Sequence, residues 1–183
     1  MQEIEVKILE INQDEIERKL LALGAHKHFE GDLDARFYDY RYGFIKNQGD
    51  VFRMRKEGET TFLTYKKAIS REGAKVMQEI ELTLSNRDTM HEILTLLGLK
   101  QTKSNRKHRI EYVLGEVKVV IDRYYDQLAH VPTFIEIEAE TIELVYDTAT
   151  QLGYSPEACL PWSTSDLKKH YAHLAPPKEE SNK

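Results

Sequence analysis

Acidic residues stand two positions apart at three places along this chain. The three pairs are Glu3 with Glu5, Glu79 with Glu81, and Glu136 with Glu138. Basic residues form two pairs of the same spacing, Arg53 with Arg55 and Lys107 with Arg109. Because side chains alternate between the two faces of a β-strand, both members of a pair lie on one face. Carboxylates bind Mg²⁺ and Mn²⁺, and arginine and lysine bind phosphate, so the pairs indicate metal-assisted chemistry on a phosphorylated compound.

Two arrangements explain like charges on one face of a strand. In the first, a half-exposed sheet keeps its charged face in water, which is common in antiparallel sheets. Such surfaces normally mix opposite charges, however, and like charges two positions apart repel one another mildly. In the second, the strands close into a barrel whose lumen contains an acidic and a basic patch. This lumen is costly unless water and ions fill it. We favour the barrel, with divalent cations at the carboxylates and a polyphosphate at the basic side chains.

Seven segments have the alternation, or the β-branched and aromatic content, of strands. The first begins with Glu3-Ile4-Glu5-Val6-Lys7, and the others are residues 50–56, 60–67, 75–83, 106–114, 116–122 and 133–139. Gly58 and Gly115 lie between consecutive segments, where a hairpin turn favours glycine. The pattern predicts an antiparallel, meander-rich α+β protein.

Three amphipathic helices are predicted, each after one of the strands that carries an acidic pair. Asn12, Asn86 and Thr141 each precede a helical apolar stripe and can cap its N-terminus. Glycine follows the last apolar residue of each stripe, where a left-handed C-terminal cap favours it. A further short helix is predicted to begin within residues 163–166. Residues 176–183 are polar and contain proline, which predicts a disordered tail after a single domain of residues 1–175.

The composition is that of a globular protein, with 183 residues of which 40% are hydrophobic and 31% are charged. The formal net charge of −5 disfavours nucleic-acid partners but allows a small anion in a locally basic pocket. Cys159 is the single cysteine, so a reducing cytoplasm is the expected location. No apolar run has the length of a membrane span, and the N-terminus lacks the pattern of a signal peptide. We therefore expect no membrane partner, and we leave monomer and homodimer open.

The ordered set of charged motifs resembles the CYTH superfamily, also called the triphosphate tunnel metalloenzymes. Glu3-Ile4-Glu5-Val6-Lys7 is similar to the N-terminal ExExK motif of that superfamily. The motifs that follow are Arg53-x-Arg55, Lys66, Glu79-x-Glu81, Lys107-x-Arg109, Asp122 and Glu136-x-Glu138. The resemblance covers residues 1–174. It implies an eight-stranded antiparallel β-barrel that forms a tunnel, with helices packed outside.

The resemblance also implies a role for each of these positions. The expected metal ligands are Glu3, Glu5, Asp122, Glu136 and Glu138, with Mg²⁺ or Mn²⁺ as the cofactor. The expected triphosphate-binding residues are Lys7, Arg53, Arg55, Lys66, Lys107 and Arg109. Glu79 and Glu81 are expected to be further acids of the tunnel. The expected catalytic residues are Glu5, Lys66, Glu136 and Glu138. Neutralising Glu136 is expected to leave the fold intact or more stable, because it relieves repulsion among carboxylates.

Within the superfamily, the chain is most similar to the class IV adenylyl cyclase branch. The similarity rests on Lys107-x-Arg109, Asp122 and the segment from Val131 to Glu138, together with the compact size. This branch implies conversion of ATP to cyclic AMP and pyrophosphate. Hydrolysis of inorganic tripolyphosphate, thiamine triphosphate or a nucleoside triphosphate stays open, because it needs the same clamp and metals. A module that binds polyphosphate or nucleotide without cleaving it is a further alternative.

Overall fold

Eight strands form a closed antiparallel barrel in the computed structural model, which describes residues 2–176. The strands are β1 Gln2–Ile8, β2 His26–Asp39, β3 Val51–Glu57, β4 Thr60–Ser70, β5 Lys75–Leu84, β6 Lys100–Leu114, β7 Val117–Tyr124 and β8 Phe134–Ala139. Their order around the barrel is β1-β5-β4-β3-β2-β6-β7-β8, and β8 pairs with β1 to close it. The predicted eight-stranded barrel is therefore confirmed.

Helices lie between some of the strands or follow β8, and most of them pack against the outside of the barrel. They are α1 Gln13–Ala22, α2 Phe44–Asn47, α3 Arg87–Leu96, α4 Ile142–Gln151 and α5 Thr164–His170. The three predicted N-caps are confirmed: Asn12, Asn86 and Thr141 accept backbone N–H groups at the starts of α1, α3 and α4. Ser163 caps α5 through a reciprocal pair of hydrogen bonds with Asp166. These caps satisfy backbone donors that would otherwise lack partners, and they fix where each helix begins.

The main hydrophobic core lies outside the barrel wall, between the strands and two of the helices. The outward faces of β1, β7 and β8 supply residues such as Val119 and Ile137, neither of which has exposed surface. Leu20 of α1 and Val145 of α4 are equally buried against them. The apolar residues of these alternating strands thus point outward, and their charged residues point into the lumen.

β2 is the strand that the charge pattern did not identify. Leu33 of β2 lies opposite Lys107 of β6 and is 1% exposed, so β2 presents apolar residues to the lumen. On the alternate face, Asp32 accepts a hydrogen bond from the His108 ring at 3.0 Å. In β2 the apolar residues thus face the lumen and the polar residues face outward, which is the opposite of the strands with charged pairs. The pattern of inward charged pairs therefore does not identify this strand.

The C-terminal segment covers part of one end of the barrel. Tyr124 and Phe134 continue the inward faces of β7 and β8, and their rings stack with centroids 5.8 Å apart. Leu167 of α5 and Tyr171 pack against them in a small hydrophobic cluster. The predicted tail lies outside the described residues from position 177 onward. Within the described part, no helix is long and apolar enough to cross a membrane.

The position of the core outside the barrel predicts that replacing isoleucine by alanine destabilises the protein more on β8 than on β5. Ile137 is 0% exposed under the helices, whereas Ile80 of β5 is 65% exposed. We expect Ile137→Ala to lower the free energy of unfolding by about 2–5 kcal/mol, because it leaves a cavity in the core. Ile80→Ala is the matched control and is expected to lower it by less than about 1 kcal/mol. Urea unfolding followed by circular dichroism measures both losses. Equal losses would contradict the placement of this core.

Candidate functional site

The inward faces of the strands enclose a cavity of about 1820 Å³ that extends between the two ends of the barrel. Every predicted site residue except Asp122 lines this cavity. The acidic pairs lie on β5, β1 and β8, which are consecutive strands and which we call the acidic wall. The basic pairs lie on β3 and β6, on either side of β2, and we call these three strands the basic wall. In an eight-stranded ring, β1 and β2 are diametrically opposed, so the two walls face each other across the lumen.

A lysine lies at the centre of the acidic wall. Lys7 Nζ is 2.9 Å from Glu5 Oε1 and 2.6 Å from Glu136 Oε1, and Lys75 Nζ also lies 2.9 Å from Glu5 Oε1. Burial disfavours the charged form of each group, but the ion pairs outweigh it. The pKa of Glu5 is therefore well below its usual range, and the pKa of Lys7 is raised.

The two glutamates of β8 differ in their electrostatic surroundings. Burial opposes ionisation of Glu136, yet Lys7, Lys107 and Arg109 hold its pKa well below the usual value. Burial raises the pKa of Glu138, the next inward residue, and the charge of Glu3 raises it further. The expectation that neutralising Glu136 relieves repulsion was therefore wrong, because the cations around Glu136 outweigh the carboxylates. That expectation applies to Glu138 instead.

Asp122 lies behind the basic pair of β6 and does not line the cavity. It is fully buried, and Arg109 donates to both of its oxygens, at 2.8 Å from Nε and 2.7 Å from Nη2. Lys107 forms a further ion pair with it. Burial and the neighbouring Arg109 lower the pKa of Lys107 to about 8. In this arrangement Asp122 orients the two basic residues, and its expected role as a metal ligand stays a prediction.

The arginines of β3 have free hydrogen-bond donors inside the barrel. The Nε atoms of Arg53 and Arg55 are buried and lack hydrogen-bond partners. Arg55 lies 3.3 Å from Glu57 and 3.8 Å from Glu81, whereas Arg53 forms no ion pair within the described part of the chain. Burial lowers the pKa of Arg55, and the charge of Arg53 adds to this effect. Buried donors without acceptors are unfavourable, so this wall is suited to bind an anion.

Lys66 of β4 forms ion pairs with two carboxylates of the acidic wall. Its Nζ lies 2.7 Å from Glu3 and 2.7 Å from Glu79, and the net effect of these charges is a raised pKa despite burial. Glu81, the other acid of β5, accepts a hydrogen bond from the Thr64 hydroxyl at 2.7 Å. Both acids that were predicted on β5 therefore lie within the lumen network.

Two lysines of this network were not among the predicted site residues. Lys75 begins β5 and shares the inward face with Glu79 and Glu81, so the alternation of the strand already indicated its direction. It was missed because it does not belong to a pair of like charges two positions apart. Lys118 is a second inward lysine, and it lies 3.2 Å from Glu138.

The CYTH domain profile matches residues 1–157 of the chain, which include every predicted site residue. The chain belongs to the CYTH domain family. A relative from Methanocaldococcus jannaschii named "Putative adenylate cyclase" is 26% identical over 125 residues, which cover 67% of this chain and 70% of the relative. Proteins of this family are typically enzymes that act on triphosphates.

Two solved structures show how closely the CYTH barrel is shared. A "putative adenylate cyclase" from Vibrio parahaemolyticus superposes with a TM-score of 0.77 at 17% identity, over 91% of this chain and 97% of that one. A Hippeastrum protein, a "putative adenylyl cyclase" described as having a dominant triphosphatase activity, superposes with a TM-score of 0.59 at 15% identity. That match covers 96% of this chain and 98% of the Hippeastrum protein. At these identities the likeness establishes the fold.

The acidic wall of this CYTH barrel offers the donor type that divalent cations need. Within residues 2–176, no three His, Cys, Asp or Glu side chains form a ready metal-binding group. Lys7 and Lys118 pair with Glu136 and Glu138 of this wall. The raised pKa of Glu138 nevertheless shows that burial and Glu3 outweigh Lys118 there, so a further positive charge would be stabilising. The carboxylates of Glu138 and Glu3 are thus of the chemical type that binds Mg²⁺ or Mn²⁺.

Glu136→Gln and Glu138→Gln are a matched pair of substitutions on one strand. We expect Glu136→Gln to lower the free energy of unfolding by about 1–3 kcal/mol at neutral pH, because Lys7 and Arg109 lose a buried partner. Glu138→Gln is expected to leave it unchanged or raise it, because burial disfavours that carboxylate. Urea unfolding in metal-free buffer compares the two variants. If Glu138→Gln proved the more destabilising, the assigned ion pairs would be wrong.

Proposed function

We propose that this CYTH protein is a divalent-metal-dependent enzyme that cleaves triphosphates. The observation that supports this most directly is the pair of opposed walls. Half-buried arginines whose buried Nε donors are free lie on one wall, and buried carboxylates lie on the other. A triphosphate supplies acceptors for the arginines, and its accompanying cations supply positive charge for the carboxylates. Few other small ligands satisfy both walls together.

The basic wall is proposed to bind and orient the phosphate chain. Arg53 and Arg55 donate from β3, and Lys107 and Arg109 donate from β6, where Asp122 fixes their direction. Lys66 is proposed to reach the same chain from β4. Because these donors come from both sides of β2, they would contact the phosphates from more than one direction. This positioning is the main contribution that a protein makes to phosphoryl or nucleotidyl transfer.

The acidic wall is proposed to hold the metal ions. Glu3, Glu136 and Glu138 would be the principal ligands, with Glu5 and Asp122 as the further acids implied by the resemblance. A divalent cation at this wall supplies charge neutralisation for the phosphates and activation of the attacking oxygen. Lys7 would then be released from part of its pairing with Glu136 and could donate to a phosphate oxygen.

The first candidate reaction is the conversion of ATP to cyclic AMP and pyrophosphate. The ribose 3′-oxygen attacks the α-phosphorus and loses its proton, while the bond to the bridging oxygen of pyrophosphate breaks. The support for this choice is the similarity to the class IV cyclase branch and the name of the Methanocaldococcus jannaschii relative.

Hydrolysis of a triphosphate is the second candidate reaction. Water attacks the terminal phosphorus, the bond to the bridging oxygen breaks, and orthophosphate and the diphosphate product are released. The same clamp and metals serve this reaction, and the two candidates differ only in which phosphorus lies beside the activated oxygen. The support for hydrolysis is the Hippeastrum protein of the same fold, which is described as a putative cyclase with a dominant triphosphatase activity.

A product assay tests the proposed function and separates the two reactions. The protein is incubated with ATP, and separately with tripolyphosphate, in Mg²⁺ or Mn²⁺, and products are resolved by ³¹P NMR. Cyclic AMP with pyrophosphate identifies a cyclase, whereas orthophosphate without cyclic AMP identifies a hydrolase. We expect excess EDTA to abolish turnover in either case. No product from either substrate, despite tight binding, would instead identify a binding module without catalysis.

Arg53→Ala tests the basic wall. We expect it to raise the dissociation constant for tripolyphosphate about tenfold to a hundredfold, because a charged hydrogen bond of about 1.5–3 kcal/mol is lost. The matched control is Arg123→Ala on β7, because Arg123 is exposed and does not line the cavity. Isothermal titration calorimetry measures both variants. Unchanged affinity in Arg53→Ala would remove Arg53 from the clamp.

A further inference from the structure

The two ends of the tunnel have opposite charge. One opening is lined by Glu57, Glu111, Glu116 and Glu140, which we call the acidic mouth. The other opening is lined by Lys46, Lys103 and Lys168 beside Phe37, and we call these four residues the lysine mouth. A phosphate chain that extends beyond the barrel is therefore repelled at the acidic mouth and attracted at the lysine mouth.

The lysine mouth is assembled from three separate elements. Lys46 belongs to α2, Lys103 to β6 and Lys168 to α5, and none of them forms an ion pair within the described part of the chain. Asp39 accepts hydrogen bonds from the backbone N–H groups of Ile45 and Lys46, at 2.8 and 3.0 Å. This carboxylate therefore fixes α2, and with it Lys46, at the opening.

Other acids at this end already have partners. Asp50 accepts the Tyr65 hydroxyl at 2.7 Å, and Asp166 accepts the Ser163 hydroxyl at 2.7 Å. Asp126 lies 3.4 Å from Arg106. The hydroxyl partners leave the carboxylate charges in place, but Arg71, Arg106 and Lys169 also line this end. Basic side chains therefore outnumber the aspartates among the described residues that line it.

Lys103 is near enough to the other two lysines for their charges to act on it. Its Nζ is 4.4 Å from the centre of the Phe37 ring, which directs it along the inward face. Burial lowers the pKa of Lys103, and the charges of Lys46 and Lys168 lower it further. An anion held among the three ammonium groups would relieve this repulsion.

The spacing along β6 separates the lysine mouth from the proposed triphosphate clamp. Lys103 and Lys107 share the inward face, and the four-residue interval corresponds to about 14 Å between their Cα atoms. A triphosphate bound at Arg53, Lys107 and Arg109 leaves the mouth free, whereas a longer chain continues into it. We propose that the lysine mouth binds the phosphates of a linear polyphosphate beyond the three held by the clamp. Long-chain polyphosphate then enters from this end and binds more tightly than tripolyphosphate. This inference rests on the proposed function.

Binding of two probes to three forms of the full chain tests the proposal. The probes are tripolyphosphate and long-chain linear polyphosphate, titrated by calorimetry in metal-free buffer so that no cleavage is expected. The forms are the wild type, Lys46→Ala/Lys103→Ala/Lys168→Ala, and a control with the same charge change, Lys56→Ala/Lys67→Ala/Arg123→Ala. The control residues are exposed and do not line the cavity.

We expect the lysine-mouth variant to lose about tenfold or more in affinity for long-chain polyphosphate, because each exposed charge pair contributes a factor of about two to five. Its affinity for tripolyphosphate, and both affinities of the control, should change less than about twofold. Equal losses for both probes, or equal affinity of the wild type for both, would overturn the lysine mouth while leaving the proposed function intact. Long-chain binding that survives Arg53→Ala would place the chain outside the barrel, which also overturns it. Failure of the wild type to bind either probe, with or without Mg²⁺, would instead overturn the proposed function.

Discussion

Buried charge inside a closed barrel must be compensated within that barrel, because water cannot fully solvate it. Lys7 shows this constraint most directly, since its ammonium group lies between Glu5 and Glu136 and is almost completely buried. Removal of one partner leaves the other charge uncompensated. The strand alternation, the outward core and the caps of the covering helices all place the apolar residues outside, so that these charges share one lumen.

The same need for charge compensation would govern how the proposed substrate and metals bind. Lysines now supply part of the positive charge that divalent cations would bring to Glu136 and Glu138, while the arginines of β3 still have free donors. Binding of a metal–triphosphate complex would thus exchange one set of ion pairs for another. A phosphate chain alone lacks the charge for the acidic wall, and cations alone lack the acceptors for the basic wall. Triphosphate and metal are therefore expected to bind cooperatively.

β2 contributes to the lumen although it carries no pair of like charges. It separates the two basic pairs and gives the lumen an apolar strip, in which Leu33 lies opposite Lys107. Burial contributes to the lowered pKa of Lys107. At its end, Asp39 anchors α2 and positions Lys46. The apolar inner face of β2 thus lies beside the basic pairs, and the end of this strand helps to form one opening of the tunnel.

The sequence by itself determined which residues face the lumen in the strands with charged pairs, because alternation is a local property of a β-strand. It also determined the helix starts at Asn12, Asn86 and Thr141, because a cap acts within one turn. The tertiary structure alone decided that the acidic strands are neighbours and that the basic strands face them, since strand order follows from long-range pairing. It also placed Asp122 behind Arg109, reversed the expected effect of neutralising Glu136, and brought Lys46, Lys103 and Lys168 together. Electrostatic interactions depend on distance in space, and residues from separate elements become neighbours only when the barrel closes.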